Sequence, residues 1–177
     1  MATEREKTIR ALKYAIQMEI DGKVLYFKAS HESGNELGKK LMESLAGQED
    51  FHRQKFEQIY ENIRKSREWP VVDFKPDAGH SLRTIFAEEI DKTESTITAS
   101  QTELDDVQRA MELEDKSYDL YRQRYQQSAK GAEKDFYETI TAEERQHKLV
   151  LLDYYEYLHD PAAWFVKAEH HSLDGGN

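Results

Sequence analysis

Two short stretches, Glu49-Asp50-Phe51-His52 and Glu144-Arg145-Gln146-His147, each set a glutamate three residues before a histidine. On a helix this spacing puts carboxylate and imidazole on one face, about a turn apart. Their surroundings match. Around the first pair lie Leu41, Leu45, Phe56, Ile59 and Ile63; around the second lie Phe136, Ile140, Leu151, Tyr154 and Leu158. Both sets step by three or four residues in the same order, the spacing of one helix stripe. Each polar pair therefore sits in the middle of an apolar face. An ionised carboxylate alone there costs on the order of several kcal/mol, so the pattern calls for a positive partner.

The second half of the chain repeats the first, ungapped, at an offset of 95 residues. Glu49 and His52 map onto Glu144 and His147, and Ala15, Glu19 and Tyr26 map onto Ala110, Glu114 and Tyr121. Glu19 occupies the centre of the stripe Leu12, Ala15, Ile16, Gly22, Tyr26, where a leucine would be expected. Glu114 does the same among Val107, Ala110, Met111, Ser117, Tyr118 and Tyr121. The reading is a duplicated helical hairpin.

The periodicity predicts helices over about 3–31, 36–66, 102–128 and 132–158, with strand-like alternation nearly absent. Ser33-Gly34-Asn35 and Lys130-Gly131 make short turns, so the helices they join are antiparallel neighbours. Residues 67–80 hold two prolines and the large apolar residues Trp69, Val71, Val72 and Phe74, and should pack along the bundle. Ser81 is expected to cap a short helix to about Ile90, a polar loop to follow over 91–101, and Thr102 to cap the next long helix. Asp160-Pro161 starts a last short helix. The fold expected is all-α: an antiparallel four-helix bundle with a long crossover between its second and third long helices. One domain spans 1–177, its core covering 5–158, with the short helix and tail over 160–177.

Charge and composition exclude several classes. The formal net charge of -10 disfavours nucleic acid. The absence of cysteine removes disulfides, thiolate zinc, iron–sulfur centres and cysteine nucleophiles. Apolar runs fall far short of the roughly 20 residues of a membrane span, and Met1–Arg10 has no apolar segment like that of a signal peptide. A cytoplasmic protein is expected.

Four carboxylates and two imidazoles thus aim at one bundle core. Hard oxygen with imidazole nitrogen suits iron, manganese or zinc. The arrangement is that of ferritin-like di-iron and di-manganese proteins, with one Glu from each of two helices and Glu-x-x-His from each of the other two. Four ionised Glu are neutralised by two divalent ions. The chain resembles the rubrerythrin-type members of that superfamily. Glu19, Glu49, His52, Glu114, Glu144 and His147 match the family's metal-ligand positions, and Met18-Glu19-Ile20-Asp21-Gly22-Lys23 and Leu113-Glu114-Asp115-Lys116 read like its first and third helices. The resemblance covers about residues 5–158.

The resemblance implies a non-haem di-iron centre reacting with hydrogen peroxide or dioxygen, with roles in oxidative stress. Glu49 and Glu144 would bridge, Glu19 and Glu114 would be terminal, and His52 and His147 would each cap one iron. It also implies a homodimer. Two departures stand out. Peroxidase rubrerythrins carry a further Glu one turn after the third-helix ligand, where this chain has Ser117, and a Cys-rich rubredoxin domain, which these residues lack. Electrons would come from an external donor, a rubredoxin-like protein or another reductase. The alternative is a non-catalytic protein that stores, buffers or senses iron.

Other polar residues read as exposed. Glu112 and Glu143 fall beside the ligand positions and are expected in solvent, as are His31, His80 and His159; Glu169-His170-His171 is expected in a mobile tail. Tyr26 and Tyr121 lie two turns, about 10 Å, from the glutamate on their own helix. Each either hydrogen-bonds a carboxylate on a facing helix or packs in the core.

Overall fold

The computed structural model describes residues 3–66, 68–90, 92 and 98–174. Its described elements are six helices: α1 (Glu4–Glu32), α2 (Glu36–Ser66), α3 (His80–Ile90), α4 (Gln101–Gln127), α5 (Ala132–His159) and α6 (Pro161–Asp174). α1 packs chiefly on α2 and α4 on α5, and α1 with α4 and α2 with α5 close the bundle. No described helix is long and apolar enough to cross a membrane.

The helix ends follow local chemistry. Thr3 and Glu6 form a reciprocal capping box on α1. Asn35 Oδ1 accepts from the Gly38 N–H at 2.8 Å and closes the start of α2. The cap of α4 is Ser100, whose Oγ accepts from the Glu103 N–H at 3.1 Å, rather than Thr102. α3 likewise starts at His80, and Asp77 holds its first turn by accepting from both the N–H and the hydroxyl of Ser81. In both cases the chain enters the helix one or two residues earlier than expected, because an upstream side chain reaches the free amides. Asp160 caps α6 through the Ala163 N–H at 3.0 Å, with Pro161 at the first position. α6 runs on to Asp174, so residues 169–171 belong to a helix and not to a loose tail. Residues 91 and 93–97 of the expected polar loop, and the Gly-Gly-Asn end, lie outside the described residues.

The crossover from α2 to α4 packs where its apolar residues allow. Trp69 packs on Phe136 and Tyr137 of α5 and Phe74 on Phe136, Val72 joins them, and Val71 points outward. The interior falls into two apolar clusters. One gathers Tyr26, Leu41, Leu45, Val107, Leu151 and Tyr154 with α3; the other gathers Leu12, Phe56, Ile59, Tyr121, Phe136 and Ile140. Between them lies a belt of buried carboxylates and imidazoles.

At one end of the bundle a second polar group ties three chain segments together. Glu103 Oε1 accepts from Ser33 Oγ at 2.6 Å, Tyr154 Oη at 2.8 Å and Asn35 Nδ2 at 3.2 Å. Gly38 is buried against this knot, where a Cβ would collide with the Tyr154 hydroxyl and Ser33 Oγ.

Candidate metal centre

α1 and α4 each bring one glutamate to the middle of the bundle, and α2 and α5 each bring a Glu-x-x-His pair. Glu19, Glu49, His52, Glu114, Glu144 and His147 are all buried, none more than 4% exposed. They form two overlapping groups, Glu19, Glu49, His52, Glu144 and Glu49, Glu114, Glu144, His147. Within each, one donor atom per residue lies within 4.8 Å of the others. Glu49 and Glu144 belong to both groups and stand between them. The six residues singled out from the sequence are thus brought together.

The contacts come in pairs related by the 95-residue repeat. His52 Nδ1 lies 3.2 Å from Glu144 Oε1 and 3.5 Å from Glu19 Oε2. His147 Nδ1 lies 3.0 Å from Glu49 Oε1 and 3.6 Å from Glu114 Oε1. The two imidazoles stack, with centroids 5.4 Å apart and planes 13° from parallel. The Tyr26 hydroxyl donates to Glu114, and the Tyr121 hydroxyl donates to Glu19. Each tyrosine reaches the glutamate of the facing helix, which settles the choice left open by the sequence.

Hydrogen bonding does not satisfy this belt. Glu19 Oε2, Glu49 Oε1, both oxygens of Glu144, Glu114 Oε2, His52 Nδ1 and His147 Nδ1 are buried with no hydrogen-bond partner. Each such atom costs about 1–3 kcal/mol, too much for a cluster with only a packing role. Oxygens and imidazole nitrogens with free lone pairs, converging within 4.8 Å, are the donor set of a hard or borderline cation.

The electrostatics point the same way. Burial, then repulsion from Glu19, Glu144 and Glu114, pushes the Glu49 carboxyl well above its ordinary range. Burial, then Glu114 and Glu19, does the same to Glu144. Burial also works against Glu19 and Glu114, but His52, Glu49 and Tyr121 outweigh it at the first, and His147, Glu144 and Tyr26 at the second, so both fall below the usual value. Without cations the two shared carboxylates take up protons more readily than the two outer ones. Cations would take the place of those protons.

Smaller neighbours shape the site. Gly22 is buried on α1, where a Cβ would stand 3.2 Å from Glu49 Oε2, so bare backbone makes room for that carboxylate. Its repeat mate Ser117 is buried on α4. Glu112 is exposed, as are His31, His80 and His159. Glu143 is a correction: it is 3% exposed, not solvated. Its oxygens accept from the Ala78 N–H at 2.8 Å and the Asp77 N–H at 3.2 Å, so the crossover turn covers it. Gln48, passed over in the sequence, accepts from the His147 Nε2–H at 2.9 Å. The repeat itself held the missing signal, because Gln48 and Glu143 are 95 residues apart. For Glu169, His170 and His171 only the backbone is described.

A four-helix bundle with this distribution of glutamates and Glu-x-x-His pairs is a ferritin-like carboxylate bundle built for two metal ions. The family model for Rubrerythrin matches residues 10–155. The chain belongs to the rubrerythrin family, whose centre is a di-iron carboxylate site. No curated protein and no solved structure gives a significant match.

Proposed function

We propose that the protein is a non-haem di-iron oxidoreductase of rubrerythrin type, reducing hydrogen peroxide or reacting with dioxygen with electrons from an external donor. The observation that carries this reading is the set of seven buried, partnerless donor atoms on six residues. Glu19, Glu49, His52 and Glu144 would hold one ion, and Glu49, Glu114, Glu144 and His147 the other, with Glu49 and Glu144 shared. Iron bound there supplies one-electron redox steps at each of two adjacent ions, matching the two electrons that peroxide needs to become water.

The chain's own residues supply the rest. Glu49 and Glu144, pushed up by burial and by their acidic neighbours in the metal-free protein, would give up protons as the ions bind. Tyr26 and Tyr121 fix the orientation of Glu114 and Glu19. Phe74 lies against the His52 ring, with centroids 5.7 Å apart, and packs on Phe136, so an apolar cluster borders the belt on that side. Cysteine is absent, so a reductase or a rubredoxin-like protein would deliver electrons from outside these residues.

Ser117 favours a second reading. It stands where peroxidase members carry a further carboxylate, and a centre without that group would suit stoichiometric iron or oxidant buffering. Turnover separates the two. Reduced, iron-loaded protein given peroxide and a chemical reductant should consume peroxide over many cycles, and Glu114→Ala should abolish this. One oxidation per centre with no further consumption would overturn the catalytic reading in favour of buffering.

A further inference from the structure

The two apolar clusters that flank the belt differ in kind. Around Tyr121 lie rings, with Phe56 at 5.2 Å and Tyr137 at 6.4 Å between centroids. Tyr137 lies in turn 5.5 Å from Trp69. The 95-residue repeat puts Leu151, Met42 and Trp164 at the positions of Phe56, Tyr137 and Trp69. Each half thus holds a buried tyrosine beside the centre and a tryptophan farther along the chain. Tyr26 shares its cluster with Leu41, Met42 and Leu151, and Trp164 packs on Phe86, Tyr157 and Phe165. Tyr137, the ring that links tyrosine to tryptophan in one half, has Met42 as its mate in the other.

One carboxylate ties Tyr121 to the centre. The Tyr121 hydroxyl donates to Glu19 Oε1, while Glu19 Oε2 faces His52 Nδ1 at 3.5 Å and has no hydrogen-bond partner. A phenol whose hydroxyl rests on a carboxylate loses an electron more readily, because an acceptor for its proton is already in place. Tyr137 differs. Beside its hydroxyl stands Arg124, a guanidinium with no lone pair to take a proton, so the Tyr137 ring passes charge on without holding it. Trp69 is only half-buried, and the last ring of the row meets solvent. Of the aromatic side chains, tyrosine and tryptophan give up one electron most readily.

We propose that Tyr121, Tyr137 and Trp69 form a one-electron relay from the His52 side of the centre to the surface. It carries an oxidising equivalent out to Trp69 when peroxide meets a centre that is one electron short. Peroxide takes two electrons and two protons to become two waters. A centre with one ferrous and one ferric ion supplies one electron, and the protons come from solvent. Tyr121 supplies the other electron, and its hydroxyl proton passes to Glu19 Oε1. An electron from Trp69 then crosses the Tyr137 ring to Tyr121, and the proton returns to the hydroxyl. Trp69, left one electron short, is refilled by the external one-electron donor. The inference rests on the di-iron reading given above.

The test is freeze-quench electron paramagnetic resonance of iron-loaded protein, oxidised by one equivalent per centre and mixed with peroxide without a donor. Wild-type protein should show an organic radical whose signal narrows when tryptophan is ring-deuterated. Trp69→Phe should lose that tryptophan signal and leave a longer-lived radical that narrows with ring-deuterated tyrosine instead. Tyr137→Met installs the residue of the other half and should do the same. Trp164→Phe removes the repeat mate of Trp69 and should match wild type. Titration with Co2+ confirms two bound ions in each variant, so that a lost signal is not a lost centre; Trp69→Phe, at a half-buried position, keeps the fold. A tryptophan signal that survives Trp69→Phe or Tyr137→Met, or vanishes with Trp164→Phe, overturns the relay and leaves the di-iron centre standing. So does oxidation of the iron with no organic radical. Fewer than two ions bound by wild-type protein, or iron that peroxide does not oxidise, overturns the relay together with the reading it rests on.

Discussion

Removing one buried carboxylate should stabilise the metal-free protein while ending its response to metal. Glu144 is the sharpest place to look. Both its oxygens are buried without a hydrogen-bond partner, and burial and then Glu114 and Glu19 act against its charge. Leucine has similar bulk and no polar atom. Exchanging a whole buried ion pair for apolar groups of like volume is neutral or stabilising by up to about 4 kcal/mol, and the same sign is expected for one carboxyl that has no hydrogen-bond partner and stands among other acids. In a chain of this length 1 kcal/mol moves Tm by about 2–4 °C. Metal-free Glu144→Leu should therefore melt as much as ~10 °C above metal-free wild type. Metal should act the other way round. Ions at a thousandfold excess over Kd stabilise the wild-type fold by about 4 kcal/mol per site, and the variant should show little of this rise. Scanning calorimetry with a chelator, and again with Fe2+ under anaerobic conditions, reads both effects. If metal-free Glu144→Leu melts well below metal-free wild type, the carboxylate stabilises the empty fold and the argument from partnerless atoms fails.

Tyr26→Phe and Tyr121→Phe each remove the donor to a buried carboxylate, and each should cost about 1.5–3 kcal/mol in urea unfolding; a loss near zero would mean the hydroxyls only fill space. Gly38→Ala would ordinarily gain about 1 kcal/mol in a helix interior. Here the methyl meets the Tyr154 hydroxyl and Ser33 Oγ, so a loss of about 1–3 kcal/mol is expected, and a gain would refute the packing described. The stabilisation by metal should grow from pH 5 to pH 8. Glu49 and Glu144 have native pKa values raised from 4.5, so their contribution to the metal-free fold is full below that value and is lost as pH rises through the raised ones. His147, raised from 6.5 by Glu114 and Glu144 against the effect of burial, acts in the same direction. Glu19 and Glu114 are lowered, and their contribution is lost only in acid below 4.5. A metal-dependent Tm rise that shrinks toward pH 8 would contradict this sign.

Glu19, Glu49, His52, Glu114, Glu144 and His147 could be picked out before any coordinates, because helix periodicity is a local property and the repeat supplied an internal check. A glutamate in the middle of a leucine stripe is costly enough to stand out on its own. For Glu143 and Gln48 the repeat gave a pairing, 95 residues apart, but periodicity gave no reason to bury them. They sit on the shoulder of the stripe, where exposure depends on which neighbour covers that side, and the turn at Asp77 and Ala78 covers Glu143. Glu103 was hidden for a related reason: at the first turn of α4 it reads as a favourable acid near a helix dipole, and only packing brings Ser33, Asn35 and Tyr154 to it.

The linear order of residues thus determined the helices, their pairing through short turns, and the acids and imidazoles that share their inward faces. Distances along one helix are set by its pitch and need no partner. The tertiary structure alone decided which tyrosine meets which glutamate, where the crossover lies, and that Gln48 stands behind His147. Those depend on contacts between residues as far apart as 102 positions, which only the packing of one helix on another can fix.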